Sequence, residues 1–273
     1  MTIVARLVAA ALVGLAGPPG AALAEGASEW AEGFHSRARL VSGGSAGAEH
    51  WAGVEIVLDR GYKTYWREPG ESGLPPRFDW AGSTNAGAID LRWPAPTRTE
   101  DAAGVAHTYA QRVVFPVRVQ AADRGKPVAL QLTVDYGVCK EICIPAQASL
   151  GLTLEPGDGA HRPMIDQALA RVPRPQAVGA AGPLSITAVD RSPGEKPTYR
   201  VEARSPEGAA LFAEGPESWY LSTSAAQPGN RFTVTVEEKP KGAAGPIRLR
   251  LTLVAGEAAV ESEVDLDEGL APR

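Results

Sequence analysis

The stretch "VALQLTVDYGVCKEICIPAQ", residues 128–147, is the part of the sequence that most clearly predicts the fold. Four aliphatic residues stand at alternate positions from Val128 to Val134, with smaller or polar residues between them. Such alternation predicts a half-buried β-strand. The strand leads directly to Cys139 and Cys143, the two cysteines of the chain, and therefore raises the question of what these thiols do.

Short strand patterns separated by turn signals continue on both sides of this stretch. The fold class they indicate is all-β: two immunoglobulin-like antiparallel β-sandwich domains joined by a Pro/Gly-rich linker with one short helix. We expect the first sandwich over 25–155, the linker over 156–183 and the second sandwich over 184–273. The predicted strands are 53–58, 62–66, 77–80, 88–93, 111–120, 128–136, 148–154, 184–189, 198–204, 218–222, 231–237, 247–254 and 259–266, with a loop at 67–76 and the helix at 161–172.

Composition excludes several classes of protein. The chain has 273 residues, of which 44% are hydrophobic and 22% are charged, so it can bury two cores and is not globally disordered. The formal net charge is −5 and no basic run occurs, which argues against nucleic acid as a partner.

The first 24 residues are typical of a signal peptide. Arg6 precedes the apolar stretch from Leu7 to Ala16, and Ala22 to Ala24 fit a small-x-small cleavage site. The stretch is shorter than the roughly 20 residues that span a bilayer, although an uncleaved anchor is the alternative. We therefore expect cleavage after Ala24, export to the periplasm, a mature net charge of −6, and no transmembrane segment after cleavage.

The spacing of the cysteines restricts their geometry. Residues four apart on a straight strand are roughly 13 Å apart, whereas the Cα atoms of a disulfide lie within about 7 Å. If the thiols bond, residues 140–142 must fold back as a tight turn. We expect the preceding strand to end near Tyr136 and Gly137, and Pro145 to restart an extended segment.

The residues alone leave three roles open for the pair. A five-residue ring contributes roughly 2 kcal/mol of stability, against nearly 5 kcal/mol for a ring of about 100 residues, so the spacing favours thiol exchange over architecture. A structural disulfide and a metal clip are the alternatives. Met164 and four scattered histidines are poor additional ligands, so no metal site and no cofactor are predicted.

Several motifs in register resemble the periplasmic N-terminal domain of DsbD, the transmembrane thiol:disulfide interchange protein. The closer resemblance is to the ScsB-like branch, associated with suppression of copper sensitivity, in which a second β domain follows. The resemblance covers about residues 30–155. The motifs are GYKTYWREPGESGLPP (61–76), FDWAGS (78–83), WPAPTR (93–98), VFPV (114–117) and YGVCKEICIP (136–145).

The resemblance implies an immunoglobulin-like sandwich whose two cysteines cycle between dithiol and disulfide. Such a domain receives electrons from a thioredoxin-like partner and passes them to periplasmic oxidoreductases. The family also has a multi-span membrane relay and a C-terminal CxxC domain, neither of which this sequence contains, so we expect a separate membrane thiol relay as partner. Thiol–disulfide exchange of the protein-disulfide reductase type is the favoured hypothesis. The alternatives are a non-catalytic binding module with a structural disulfide and a copper-binding accessory protein.

The resemblance also assigns site residues. Cys139 and Cys143 are the redox pair, with Cys139 as the thiol that reacts first, and Tyr65 matches an aromatic position near them. Lys140 would favour the thiolate and Glu141 would oppose it, unless both belong only to a solvated turn.

Further contacts to the partner or to a cap are expected from Tyr136, at the start of the cysteine motif, and from the loop Thr99–Tyr109. This loop falls where the family has a cap over the disulfide, but it lacks the bulky Phe of that cap. His107 and Tyr109 are the candidates to replace it; their alternative is an ordinary loop and strand role.

Overall fold

The structure is a computed structural model that describes residues 26–101, 104–155, 157, 159–243 and 247–266. The predicted signal peptide, residues 1–24, lies outside the described residues. Within the described part strands dominate and a single helix, α1 (Arg162–Ala170), occurs, which confirms the all-β fold class. None of the described helical segments combines the length and the apolar character that crossing a bilayer requires.

Two sheets make up the first half of the described chain. Sheet A has the strand order β1-β2-β3-β9-β6, and sheet B has the order β11-β10-β4-β8-β7, with β5 also paired to β10. Strand β11 is therefore an edge of sheet B. The strands are β1 (Ala31–Gly33), β2 (Ser36–Ala46), β3 (Glu49–Leu58), β4 (Lys63–Gly70), β5 (Arg77–Asp79), β6 (Ala86–Leu91), β7 (Thr97–Asp101), β8 (Gly104–Ala110), β9 (Arg112–Ala121), β10 (Val128–Cys139) and β11 (Cys143–Leu154).

Sheets A and B enclose one hydrophobic core. On β10 every even-numbered residue from Val128 to Val138 is buried, as the sequence alternation predicts. Opposite them, β2, β3 and β9 contribute Leu40, Ile56 and Phe115, which are fully buried. Burial of this aliphatic row fixes which face of β10 points inward and therefore which face carries the cysteines.

The second half repeats the two-layer arrangement. Sheet C has the order β12-β19-β18-β15 and sheet D the order β13-β14-β17-β16, and residues of both sheets form a second core. The pairing is antiparallel except that the two-residue β12 runs parallel to β19. The strands are β12 (Arg174–Pro175), β13 (Ser185–Ser192), β14 (Thr198–Arg204), β15 (Ala210–Glu214), β16 (Tyr220–Thr223), β17 (Arg231–Glu238), β18 (Ile247–Ala255) and β19 (Ala258–Leu266).

The segment between the two halves is packed against both of them. Helix α1 lies on sheet A and buries Ile165 over two glycines, because a Cβ at Gly43 would lie 2.7 Å from Ile165 Cδ1 and a Cβ at Gly53 3.3 Å from Ile165 Cγ1. Beyond the helix, β12 joins sheet C. The predicted linker therefore contains the expected helix, two residues shorter at its C-terminal end, but it is not a free tether.

A compact aromatic group joins the two halves. Phe212 of β15 is buried against Trp66 of β4 and His107 of β8, with ring centroids 5.6 Å and 4.7 Å away. Beside them, the guanidinium of Arg67 binds both Glu214 and Glu261. The sequence patterns missed β15, the strand that carries Phe212 and Glu214, and they also missed β1, β2, β7, β8 and the two-residue β12.

We expect the free energy of unfolding to decrease as the pH drops below neutral, because His107 is buried in its neutral form. Burial lowers the pKa of His107 from 6.5 to about 4, and its Nδ1–H donates to the carbonyl of Glu68 at 2.8 Å. The unfolded chain therefore binds a proton in the window between these two pKa values while the folded chain does not, so stability is present above about pH 6.5 and lost as the pH falls.

The measurement is urea unfolding of the wild type and His107→Asn, which keeps an N–H donor but cannot titrate. Between about pH 7.5 and about pH 5, the wild type should lose about 2 kcal/mol more than the variant. Equal losses in the two proteins would show that His107 does not set this dependence.

Candidate redox site

The cysteines occupy the end of the β10–β11 hairpin. Twelve residue pairs run in unbroken register from Val128↔Leu154 to Cys139↔Cys143, so the two cysteines stand directly opposite each other with Cα atoms 4.1 Å apart and form a disulfide. Residues 140–142 make the connection, and the Lys140 N–H donates to the Ile142 carbonyl at 3.3 Å. The predicted tight turn is therefore present.

The predicted break at Gly137 is wrong. Strand β10 continues through Gly137 to Cys139, and Gly137 pairs with Pro145 in the ladder. The glycine instead makes room for a neighbour, because a Cβ there would lie 2.9 Å from the Cβ of Leu74 and 3.3 Å from Cδ2 of Tyr65. Sequence reasoning interpreted as a chain break what is a requirement for close packing.

The two cysteine residues differ in exposure. Odd-numbered positions of β10 and β11 face away from the core, and within this outward row Cys139 is only 1% exposed whereas Cys143 is exposed. Cys143 is therefore the more accessible residue of the pair. This placement argues against the expectation that Cys139 reacts first.

Tyr65 covers the disulfide from the neighbouring strand. It packs with Ala106 and Cys139 in a small buried cluster, and its hydroxyl donates to Cys143 Sγ at 3.0 Å. A disulfide sulfur has no proton, so the hydroxyl must be the donor. Burial, and secondarily the charge of Asp101, raise the pKa of Tyr65, which keeps this hydroxyl protonated at neutral pH.

The loop after β4 covers Tyr65. Gly73, with φ of 150°, lies so close to the tyrosine ring that a Cβ would be 2.4 Å from Cε1 of Tyr65. The next residue, Leu74, rests against Gly137, two residues before Cys139. Gly73 and Leu74 therefore cover the Tyr65 ring and the strand just before the buried Cys139, while Cys143 stays exposed.

The segment predicted as a cap loop, Thr99–Tyr109, lies mostly within a β-hairpin. Strands β7 and β8 pair from Thr97↔Thr108 to Asp101↔Gly104. Asp101, at the end of β7, forms an ion pair of 2.9 Å with Lys63, the residue that β4 pairs with Cys139. This hairpin borders the site through its charged end rather than through a bulky cap residue.

His107 and Tyr109 do not take the place of a cap residue. His107 contacts Trp66 and Phe212 in the contact between the halves, and the buried Tyr109 hydroxyl donates to the Pro94 carbonyl at 2.6 Å. Burial raises the pKa of Tyr109 well above 10.0. Both side chains pack with the core residues on the opposite face of sheet B from Tyr65, and that part of the prediction is corrected.

The remaining predicted contacts divide between core and surface. Tyr136 is buried in the first core, where its hydroxyl lies 3.0 Å from Ser36 Oγ, and burial raises its pKa. Glu141 lies exposed in the turn. Lys140 is exposed too, and its Nζ lies 6.0 Å from the centroid of the Tyr62 ring.

Exposed apolar side chains surround this end of the molecule. Among the described residues the large hydrophobic side chains that are exposed are Phe34, Leu74, Ile142 and Ile144, and we call these four the apolar rim. Ile142 and Ile144 flank Cys143 in sequence, and Leu74 packs on Gly137. Phe34 lies edge-on to Tyr62, the ring beside Lys140. Sequence reasoning missed the rim because exposure of an isoleucine cannot be inferred from a strand pattern.

Metal ligands are sparse. Across the described ranges, no group of three or more His, Cys, Asp or Glu side chains has the arrangement that could hold a metal ion.

A family model described as "Thiol:disulfide interchange protein DsbD, N-terminal" matches residues 36–155. Residues 36–155 are a DsbD-type N-terminal domain. The match includes the whole hairpin, β4 and the loop that covers Tyr65. Thiol-redox proteins are accordingly the general class of partner for the DsbD-type domain. A comparison with curated proteins found no match.

The crystal structure of the N-terminal periplasmic domain of ScsB from Proteus mirabilis resembles both halves of the chain. The identity is 22%, the match covers 90% of this chain and 100% of that chain, and the TM-score is 0.71, which shows the shared fold. Two weaker matches have TM-scores too low to support an argument. They are a conserved domain protein from Bacillus anthracis (11% identity, 88% and 89% coverage, TM-score 0.23) and titin Ig tandem domains A164-A165 (11%, 87% and 98%, 0.20).

We expect Gly137→Ala to open the covered side of the disulfide. The added methyl group would force Leu74 and the Tyr65 ring outward, at a cost of about 1–3 kcal/mol in stability. The disulfide should then be reduced faster by dithiothreitol, as followed by quenched thiol alkylation.

The matched control is Gly151→Ala on the same outward face of the hairpin. Its new Cβ would meet only the flexible end of Gln131, with Nε2 at 2.8 Å, so reduction should keep the wild-type rate. An unchanged rate in Gly137→Ala would contradict the shielding role of Leu74.

Proposed function

We propose that the DsbD-type domain exchanges electrons with thioredoxin-like oxidoreductases through the Cys139–Cys143 disulfide, and that Cys143 is the sulfur that partners contact. The observation that supports this most directly is the unequal exposure of the two cysteine residues: Cys139 is 1% exposed and Cys143 is exposed. A disulfide serving only as a staple has no need of an open sulfur, and this one closes a ring of five residues.

The exchange proceeds through a mixed disulfide between the partner and Cys143. A partner thiolate attacks Cys143 Sγ, a new S–S bond joins the two proteins, and Cys139 leaves as a thiolate that takes a proton. The partner's second cysteine then attacks its own first sulfur and releases Cys143. The domain is reduced by two electrons and the partner is oxidised. The reverse sequence passes the electrons on to an oxidised acceptor.

Tyr65 supports the step in which Cys143 leaves. A hydroxyl that donates to a sulfur stabilises the negative charge of the thiolate form more than the neutral form. Because Tyr65 is 2% exposed and is held beneath Gly73, the donor is already in place when the charge develops. Lys140 is the nearest cation in sequence, but its ammonium group lies beside the Tyr62 ring.

The apolar rim is the surface on which we place the partner. Its four side chains surround the hairpin end, so a partner with an apolar surface around its own active-site cysteine would bury them while its sulfur meets Cys143. The match to a periplasmic domain and the predicted signal peptide support export, where such partners and an oxidising compartment occur. A separate membrane thiol relay would supply the electrons.

Single-cysteine variants test the order of attack. The probe is a thioredoxin-like protein with one active-site cysteine, activated as its thionitrobenzoate mixed disulfide, so that each attack releases the coloured anion. Cys139→Ser, which keeps Cys143, should form the mixed disulfide between the proteins. Cys143→Ser should react roughly tenfold or more slowly because its remaining thiol is buried.

Either of two results would overturn the proposal. One is faster reaction of Cys143→Ser than of Cys139→Ser. The other is a reduction potential well below about −300 mV for the wild-type pair, which would assign the disulfide a structural role.

Replacing Ile142 tests the docking surface. Ile142 is 74% exposed, so Ile142→Ser should leave folding intact. Loss of one apolar anchor should slow exchange with the thioredoxin-like probe by roughly fivefold, the factor that corresponds to about 1 kcal/mol. Reduction by dithiothreitol, which needs no docking, is the internal control and should not change. A variant that reacts normally with both reagents would place the partner elsewhere.

A further inference from the structure

Strand β4 loses its ladder with β8 directly after Tyr65. Pairing is regular from Lys63 to Tyr65, where Tyr65 stands opposite Thr108, and it resumes only at Gly70, opposite Ala106. Residues 66–69 therefore face His107 alone. A bulge of this kind re-aims side chains but has few backbone bonds of its own to hold it.

The second half of the molecule supplies the missing anchor. Arg67, within the bulge, donates from Nε and from one terminal nitrogen to the two carboxylate oxygens of Glu214 at 2.7 and 2.6 Å, and also to Glu261 at 2.6 Å. The three side chains are 20%, 16% and 22% exposed. A bidentate guanidinium–carboxylate pair that is this well buried fixes the orientation of the Arg67 side chain as well as its distance from Glu214.

Packing reinforces the same anchor. Trp66 lies against Phe212, and the Arg67 guanidinium stacks over the Trp66 ring at 4.6 Å from its centroid. The Glu68 carbonyl accepts a hydrogen bond from His107. Residues 66–68 are thus held by sheet C and by β8 rather than by a regular strand partner.

The two ends of the bulge both touch the redox site. Tyr65, immediately before it, donates to Cys143, and the loop immediately after Gly70 places Gly73 on Tyr65 and Leu74 on Gly137. A shift of the bulge would move the hydroxyl and the cover together.

We infer that Arg67 is a positioning residue for thiol exchange: by binding Glu214 and Glu261 it holds Tyr65 against Cys143, so the C-terminal half sets the reactivity of a disulfide that lies in the N-terminal half. This inference rests on the proposed function for its biological meaning. The structural basis is that three consecutive side chains of β4 point to different places: Tyr65 reaches the disulfide, Trp66 the core, and Arg67 the second half.

The test measures alkylation of Cys143 by iodoacetamide in the Cys139→Ser background of the full chain, across a range of pH. Tyr65→Phe and Arg67→Gln should each slow alkylation near neutral pH by about two- to tenfold, the factor expected for one hydrogen bond. Because both act through the same hydroxyl, the double variant should be no slower than the slower single variant.

Two further variants separate positioning from general stability. Glu214→Gln combined with Glu261→Gln should slow alkylation as Arg67→Gln does, because it removes the same anchor from the other side. Arg248→Gln, which breaks the exposed pair with Asp265 elsewhere on sheet C, should leave the rate unchanged. If Arg67→Gln does not fold, Arg67→Lys keeps the charge without the two-point bond and should slow alkylation.

The inference is overturned if the Arg67 variants lower the melting temperature but leave the alkylation rate and its pH profile unchanged. Multiplying effects of Tyr65→Phe and Arg67→Gln would overturn it as well. Iodoacetamide is a small molecule, so failure to trap a thioredoxin-like partner would remove the proposed function without altering this result.

Discussion

The register of the β10–β11 hairpin is the constraint on which the site depends. Side chains alternate between the faces of a strand, so pairing Cys139 with Cys143 places both sulfurs on the face that points away from the core. A slip of one residue would remove the aliphatic row of β10 from the interior. Burial of residues such as Leu130 and Val134, which are fully enclosed, therefore decides where the sulfurs lie. The chemistry of the site is set by hydrophobic packing on the other side of the same strand.

The outward face alone would leave both sulfurs open, and the neighbouring strand removes that symmetry. Tyr65 packs on Cys139 and Leu74 packs on Gly137 two residues before it, while Cys143 is exposed between the exposed Ile142 and Ile144. The C-terminal half acts one step further away, since its carboxylates hold the part of β4 that no regular ladder supports. The first sandwich thus determines the position of the two cysteines. Tyr65 and the loop after β4 make their exposure unequal, and the second sandwich anchors residues 66–68 of β4, from which that loop continues.

Much of this could be predicted from sequence because the signals are local. Alternation from Val128 to Val134 gave the strand, and the distance limit of a disulfide gave the turn at 140–142. Features that depend on distant partners were not visible. Gly137 is small because Leu74 packs on it, and His107 is buried because Phe212, more than 100 residues away, covers it. Strand β15 is a run of only five residues that is held by its pairing with the distant β18 and by its contact with the first half.

The position of Pro145 has a consequence for self-association. It lies on β11, which has a neighbouring strand on one side only within the described chain, and close to the exposed Ile142 and Ile144. An unpaired edge strand beside exposed apolar side chains can form backbone hydrogen bonds with the same strand of a second copy, which leads to aggregation. Proline has no N–H to donate, which weakens that kind of growth. The molecule can therefore expose an apolar surface to a partner protein, while Pro145 disfavours strand pairing between two copies of the chain along β11.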